Sequence, residues 1–290
     1  MPPLDQILWP LLYAGVLPAL VGAALVAGIC RVAGGFDAAP YCASAVALAA
    51  GLALGTWLND DFVLCWPARF AREWLGWATF GALAVGMVAR LPFIPPGVGW
   101  GLWGMASAHA GWLLTPAALR EEFFWAPFAL GFASFAVWVM LEEVGRLDSA
   151  GLVPLALAAM ALTATVLLRP GSDRFALYAL ALAGSLAGVG IGGLVSRREA
   201  TGVAPGVAVM LPSLILIAWH ENFAEPPVPT LSFVLAAFSP LAFAPLLIPW
   251  WQAYQRKGLW AVQLLLLLAA MGLAIALAHQ AGALAMPAEG

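Results

Sequence analysis

The sequence predicts an all-α fold: a polytopic transmembrane helical bundle of about ten spans without a soluble domain. Two of the three observations behind this prediction concern composition. Hydrophobic residues make up 63% of the 290 residues and charged residues 9%, against roughly 45–50% and about 25% in soluble domains. The third is that apolar runs of about 20 residues, the length that crosses a bilayer, follow one another along the chain. Ten such spans use about 200 residues and leave only loops and tails. We therefore treat 1–290 as a single transmembrane domain.

The predicted spans are bounded by charged residues and prolines, which mark where an apolar run leaves the membrane. In chain order they are Ile7 to Val32, Tyr41 to Leu58, Trp74 to Leu91, Val98 to Thr115, Phe123 to Leu141, Leu152 to Leu168, Phe175 to Val195, Val203 to Trp219, Leu231 to Trp250 and Leu259 to Gln280. Nine or eleven spans are the alternatives. Segment 59–73 mixes charged with large apolar residues, which predicts a short helix along the membrane interface.

The basic residues predict the orientation of the chain. Seven fall on one side of the predicted bundle and five on the other, and the richer side is expected in the cytoplasm. The seven are Arg31, Arg90, Arg146, Arg197, Arg198, Arg256 and Lys257. Both termini then lie outside the cytoplasm, and the preference for arginine, alanine and glycine favours a bacterial inner membrane. Two five-span halves, 1–147 and 148–290, are a further hypothesis, for which internal sequence similarity is inconclusive.

Small residues at three- and four-residue spacings predict helices that pack closely in lipid. The segment between Pro95 and Pro116 has such positions at Gly97, Gly101, Gly104, Ala108 and Gly111, and the seventh span has Gly184, Gly188 and Gly192. We expect these faces to meet other helices of the bundle. A homodimer seam, or contact with other membrane subunits, is the alternative use of the same faces.

Three histidines lie toward the same side of the predicted bundle. His109 is an isolated polar residue within the fourth span, so we expect it to face protein or a cavity rather than lipid. His220 ends the eighth span beside Glu221, and His279 lies near the end of the tenth. Imidazole and carboxylate groups bind zinc-like ions and titrate near neutral pH. The four residues together are a candidate metal site or proton relay.

Prolines predict broken helices in the eighth and ninth spans, where freed backbone groups can line a solute site. Pro205 and Pro212 interrupt the eighth span, and prolines from Pro240 onward interrupt the ninth. A solute path lined by the fourth, eighth and ninth spans follows from this pattern. Its candidate residues are Ser107, His109, Pro212, Ser213, Ser239 and Pro240.

Paired glutamates end the fifth span, with Glu142 and Glu143 followed by Arg146. The run EEVGR is similar to the EExxxR motif of CAAX-protease-like intramembrane peptidases, whose glutamate activates a water. It is one residue shorter, and none of the three histidines lies in the FxxxH pattern of that family. We therefore interpret the glutamates as charges at the membrane boundary, with Glu142 and Arg146 spaced for an i, i+4 ion pair.

These patterns favour a small-solute permease of unknown substrate. The alternative is a non-catalytic structural subunit or scaffold of a larger membrane complex, and an intramembrane enzyme is third, because no catalytic residues can be assigned. Three cysteines at Cys30, Cys42 and Cys65 form no ligand motif, and no cofactor is indicated. The apolar composition predicts a lipid bilayer as partner, and the net charge of −3 with scattered basic residues predicts no nucleic acid.

Overall fold

The computed structural model describes residues 9–33, 35–59, 68–147, 149–168, 173–199, 201–222, 227–239 and 256–283. Within these ranges all regular secondary structure is helical. A π-helical turn, Leu12–Val16, leads into the first α-helix. The α-helices are α1 Leu17–Val32, α2 Ala39–Trp57, α3 Ala71–Ala89, α4 Pro96–Leu114, α5 Ala117–Glu122, α6 Ala126–Leu147, α7 Ser149–Leu167, α8 Asp173–Ser196, α9 Ala204–His220, α10 Thr230–Phe238 and α11 Arg256–Ala283.

A described helix overlaps each of the ten predicted spans, and for the spans that are described in full the bounds agree to within six residues. Five helices of the described chain are long and apolar enough to cross a membrane, which is compatible with a membrane protein but does not confirm ten spans. They are Trp9–Val32, Ala39–Trp57, Ala126–Leu147, Arg174–Ser196 and Val262–Gln280. Most of segment 59–73, and the second half of the ninth predicted span with Pro240, lie outside the described residues.

Local sequence sets several of the helix ends. The carboxylate of Glu73, in the first turn of α3, accepts the backbone N–H of Arg69 at 2.6 Å and that of Phe70 at 3.3 Å. The hydrogen bond from Arg69 is the main reason that the pKa of Glu73 is lowered. Pro205 sits in the first turn of α9, where proline is favoured, so the prediction that it interrupts this helix is wrong.

Helix α9 forms the centre of the bundle. It is buried along almost its whole length from Ala204 to Ala218, with Pro212 inside it. Its main neighbours are α3 and α6, and it also touches α2, α4, α7, α8 and α10. A helix that is apolar on all sides is stable only when other helices surround it. The eighth predicted span is therefore the core around which the others pack.

The glycines of α8 lie inside the bundle, close to the π-helical turn and to α1. A Cβ atom on Gly184 would lie 2.4 Å from the carbonyl oxygen of Gly15, and one on Gly188 would lie 2.2 Å from that of Ala19. A Cβ on Gly192 would lie 2.6 Å from the Cβ of Val26. This glycine face is therefore an internal contact between helices of the chain.

The glycines of α4 behave differently along the helix. Gly111 lies close to α6, since a Cβ on it would be 2.4 Å from the carbonyl oxygen of Pro127. Gly97 and Gly101 have no atom within 4 Å of such a Cβ, and Gly104 has only a Phe135 ring carbon at 4.0 Å. For these three the prediction of close packing is wrong. At this end of the two helices stacked tryptophan rings, rather than backbone contacts, fill the space between them.

The two hypothetical halves interleave, because α1 and α2 from residues 1–147 pack on α8 from residues 148–290. The division into halves stays a prediction. The basic ends of several helices do share one end of the bundle: Arg31 lines a recess with Ser196, and Arg90 lines a cavity with Arg146. Which side of a membrane this end faces stays a prediction.

Candidate functional site

A buried carboxylate near the end of α6 is the most unusual group in the structure. Glu142 is only 5% exposed, and charged residues are almost never buried unless they are paired. Its Oε2 forms an ion pair with the guanidinium of Arg90. Its Oε1 accepts a hydrogen bond from the hydroxyl of Tyr41 at 2.7 Å. Both oxygens of the carboxylate are thus satisfied by residues more than 50 positions away in sequence.

Three helix ends bring these residues together. Tyr41 lies in the first turn of α2, Arg90 caps the C-terminus of α3, and Glu142 faces inward from the last turns of α6. Two glycines, which have no side chain, leave room for Tyr41 at this point. A Cβ on Gly86 would lie 2.9 Å from the Tyr41 hydroxyl, and one on Gly202 would lie 2.0 Å from the Tyr41 carbonyl oxygen. These two glycines allow Tyr41 to fit between α3 and the chain that enters α9.

Aromatic rings surround the charge pair. The guanidinium carbon of Arg90 lies 5.5 Å from the centre of the Tyr41 ring and 5.8 Å from that of Trp103, within cation–π range. The Trp103 ring stacks in turn on Trp138 of α6, with centroids 5.4 Å apart and planes inclined by 21°. The guanidinium is therefore held by two aromatic faces as well as by the Glu142 carboxylate.

The charge pair forms the base of a polar cavity of about 340 Å³ at the end of the bundle. Its lining comprises Asp37, Ala38, Tyr41, Arg90, Glu142, Gly145, Arg146, Glu199 and Thr201. Glu143, one residue after Glu142, faces outward and forms an ion pair with Arg146 at 2.8 Å. The predicted pair between Glu142 and Arg146 is therefore wrong, whereas the interpretation of Glu142 as a charge at the membrane boundary stays a prediction.

The chemistry of this cavity suits recognition of a small polar molecule. Opposite charges and a phenol converge at a place that apolar helices partly shield from water, where electrostatic interactions are stronger than in bulk solvent. Among the described residues no group of three or more His, Cys, Asp or Glu side chains is placed to hold a metal ion.

The histidines do not assemble into the predicted metal site. His109, His220 and His279 are all exposed, and Glu221 forms an ion pair with Arg72 at 3.6 Å. The expectation that His109 faces protein or a cavity is wrong. Helix α4 turns Trp103, Ser107, Ala110, Gly111 and Leu114 toward its neighbours, which places His109 on the opposite, outer face.

Replacing His109 with leucine should therefore leave stability unchanged or raise it slightly. Substitutions at exposed positions usually change the unfolding free energy by less than about 0.5 kcal/mol, and an apolar side chain is favoured on a face that contacts lipid. The test is the midpoint of thermal unfolding of His109→Leu and the parent chain in the same detergent. A fall of many degrees would show that His109 has a partner in the membrane.

The serines predicted to line a path are all inside the bundle. Ser107 and Ser213 are fully buried and Ser239 is 1% exposed, and their hydroxyls have no hydrogen-bond partner. Pro212, beside Ser213, is buried in the centre of α9. Ser134 of α6 was not predicted, and it shares both properties, being fully buried and without a partner. Buried polar groups nearly always have a partner, so these hydroxyls call for an explanation.

The sequence did contain a signal for the α6 residues. Ser134, Trp138 and Glu142 recur every four residues in the run SFAVWVMLE, which places them on one face of a helix. All three are buried. The partners Tyr41 and Arg90 come from other helices, and no local spacing connects them with Glu142.

Comparison with known proteins found no matching family model, no matching curated protein and no matching solved structure. The class of the protein therefore follows from its own features. It is a helical bundle whose apolar helices are compatible with a membrane protein. At one end of this bundle the buried Tyr41 and Glu142 contact the partly exposed Arg90, and all three line a polar cavity.

Proposed function

We propose that the protein is a small-solute permease and that the polar cavity above Glu142 is one mouth of its solute path. The observation that carries this proposal is the buried Glu142 carboxylate, which pairs with the partly exposed Arg90 in the lining of an open cavity. Ionisable residues inside membrane bundles are unfavourable unless function retains them, and they commonly mark substrate or ion pathways.

Buried hydroxyls support a continuation of the path into the bundle. Ser134 precedes Glu142 by eight residues on α6, and Ser213 follows Pro205 by eight residues on α9, so each lies about 12 Å deeper at 1.5 Å per residue. A Cβ on Gly86 would touch both Pro205 and the Tyr41 hydroxyl, so the start of α9 and the end of α6 lie at a similar level. The hydroxyls of Ser134 and Ser213 thus lie at a similar depth in the bundle without hydrogen-bond partners, so they are suited to bind water or solute.

The stacked Trp103 and Trp138 rings supply a barrier between the cavity and the serines. Trp138 follows Ser134 by one helical turn, and Trp103 precedes Ser107 by one turn. Both indoles are buried, and neither ring N–H has a hydrogen-bond partner. Movement of these rings would open the route from the cavity to the serine level. The structure then corresponds to a closed state of the permease.

The decisive experiment is uptake by proteoliposomes that contain the purified chain. A panel of small radiolabelled solutes, cationic, neutral and anionic, would be offered to the parent chain and to two glutamine variants. Glu142→Gln removes the buried charge but keeps the shape of the side chain, and Glu143→Gln is the matched control at the neighbouring, outward position. We expect uptake of at least one solute that is lost in Glu142→Gln and kept in Glu143→Gln. Equal uptake by both variants, or by empty liposomes, would refute the proposal.

Replacing Ser213 with alanine should separate transport from stability. The hydroxyl has no partner, so its removal should leave the unfolding temperature unchanged or raise it, because a buried unsatisfied group is unfavourable. If the hydroxyl binds solute or water, uptake should nevertheless fall about tenfold, corresponding to a lost hydrogen bond of roughly 1.4 kcal/mol.

The matched control is Ser185→Ala on α8, since Ser185 is also fully buried but its hydroxyl donates to the carbonyl of Ala181 at 2.7 Å. Uptake by this control should equal that of the parent chain. Unchanged uptake by Ser213→Ala would exclude this serine from the path.

A structural subunit of a membrane complex is the second candidate, and the outer face of α6 favours it. Phe128 and Phe132 of α6 are 68% and 72% exposed and line a shallow apolar groove between α4 and α6, and Phe124, just before α6, is 79% exposed. A partner helix could cover this face as well as lipid could. Native mass spectrometry after mild solubilisation separates the two functions, because a subunit retains other chains and a permease is found alone or as a homo-oligomer.

A further inference from the structure

Arg90 is held in the way that proteins hold an organic cation. Two aromatic faces, Tyr41 at 5.5 Å and Trp103 at 5.8 Å, flank its guanidinium, and the Glu142 carboxylate neutralises its charge. Aromatic rings combined with a carboxylate are the chemistry that recognises ammonium and guanidinium ligands. The arginine side chain thus fills a site whose chemistry also suits a free cation.

The two members of the ion pair are not equally free to leave. The side chain of Arg90 is 42% exposed, whereas that of Glu142 is 4% exposed. Arg90 can rotate outward and be solvated by water, since it already lies at the edge of the cavity. The Glu142 side chain is enclosed by protein, so it cannot be solvated by water in the same way. A cation that displaces Arg90 keeps the buried Glu142 carboxylate neutralised. An anion that pairs with Arg90 and draws it away leaves Glu142 buried without a counter-charge, which is unfavourable.

The other charges of the cavity favour the same sign of ligand. Once Arg90 has turned away, the lining keeps three carboxylates, from Asp37, Glu142 and Glu199, against the single guanidinium of Arg146. Arg146 is already paired with Glu143. The cavity of about 340 Å³ lies at the lower end of the range of about 300 to 1,000 Å³ for small-molecule sites. It therefore suits a ligand about the size of an amino-acid side chain.

We propose that Glu142, Tyr41 and Trp103 form a binding site for a small organic cation with a guanidinium or alkylammonium group, and that Arg90 is a built-in competitor for this site. The inference rests on the proposed permease function and names its substrate class. Arg90 keeps Glu142 neutralised when no solute is bound, and it leaves when the cation enters from the cavity.

The test uses methylguanidinium as the cation and methylurea as its neutral analogue of the same shape. Binding to the full chain in detergent is measured by isothermal titration calorimetry. Arg90→Ala should bind methylguanidinium with a Kd about tenfold lower than the parent chain, because removal of a competitor that fills the site most of the time raises the fraction of free sites. Methylurea should bind neither protein measurably. Adding Glu142→Gln to Arg90→Ala should abolish methylguanidinium binding.

Arg90→Gln serves as the second variant if Arg90→Ala does not fold, and if neither folds the parent chain is titrated with methylguanidinium against acetate. Saturable binding of the cation alone supports the inference. Equal binding of methylguanidinium and methylurea, binding that does not depend on Glu142, or preferential binding of acetate would overturn it.

Failure of this inference is distinguishable from failure of the proposed function. If proteoliposomes take up a neutral or anionic solute in a manner that depends on Glu142, while methylguanidinium does not bind, the permease proposal stands and the cation site is refuted. If methylguanidinium binds as expected but no solute of the panel is taken up, the cation site stands and the permease proposal is refuted.

Discussion

Replacing Arg90 with alanine should lower the free energy of unfolding by about 2–3 kcal/mol. Removal of one partner from a fully buried ion pair costs roughly 3–5 kcal/mol, because the remaining charge is left in a poorly solvated place. Arg90 is itself 42% exposed, so water that enters its place should partly solvate Glu142 and reduce the loss. The Tyr41 hydroxyl still donates to the carboxylate but carries no charge to balance it.

A second substitution identifies the cause of this loss. If the destabilisation comes from the uncompensated carboxylate, Glu142→Gln in the Arg90→Ala chain should recover most of the lost stability, so that the double variant is more stable than Arg90→Ala alone. The measurement is unfolding in mixed micelles titrated with a denaturing detergent. A pair that couples in this way has effects that are not additive.

Arg146→Ala is the matched control, since Arg146 lines the same cavity but its side chain is 71% exposed and pairs with Glu143 at the surface. Exposed ion pairs contribute about 0–1 kcal/mol, so this variant should unfold close to the parent chain. If Arg90→Ala behaves like Arg146→Ala, the Glu142 carboxylate is better solvated than its burial indicates.

The positions of the helices could be predicted from the sequence, because each apolar run ends at a charge or proline that stops it. Their lateral arrangement could not. The regular glycine ladder that includes Gly188 lies close to backbone atoms of α1, and such a ladder has few uses other than close packing. The prediction for Gly97 and Gly101 was wrong because the same residue type also occurs on a face where nothing approaches, and spacing alone does not distinguish the two.

The candidate site was missed for a related reason. The sequence indicates His109 as a site residue because an isolated polar residue inside a span is unfavourable in lipid. The orientation of α4 nevertheless places His109 on the outer face of the bundle. Glu142 lies at the end of an apolar run, where a charge normally meets water, and its burial depends on Arg90 from a different helix. Such a pair is defined only once α3 and α6 have packed together, so a single sequence carries little information about it.

Replacing Gly188 with alanine should destabilise the bundle by about 3 kcal/mol or more. The added Cβ would lie 2.2 Å from the carbonyl oxygen of Ala19 and 2.9 Å from its Cα, and backbone atoms cannot move aside as a flexible side chain can. Relief requires α1 and α8 to separate, which also weakens the contacts at Gly184 and Gly192. Inserted methyl groups in tight cores typically cost about 1–3 kcal/mol, and occasionally more.

Gly81→Ala on α3 is the control, because a Cβ there has no atom within 4 Å and alanine favours helix over glycine by about 0.8–1.0 kcal/mol. This variant should therefore unfold at the same temperature as the parent chain or slightly higher, whereas Gly188→Ala should unfold many degrees lower and give less folded protein on size-exclusion chromatography. The difference between the two alanine variants measures the steric contribution alone, since both gain the same helix propensity. If Gly188→Ala is as stable as Gly81→Ala, α1 and α8 are not in backbone contact in the membrane.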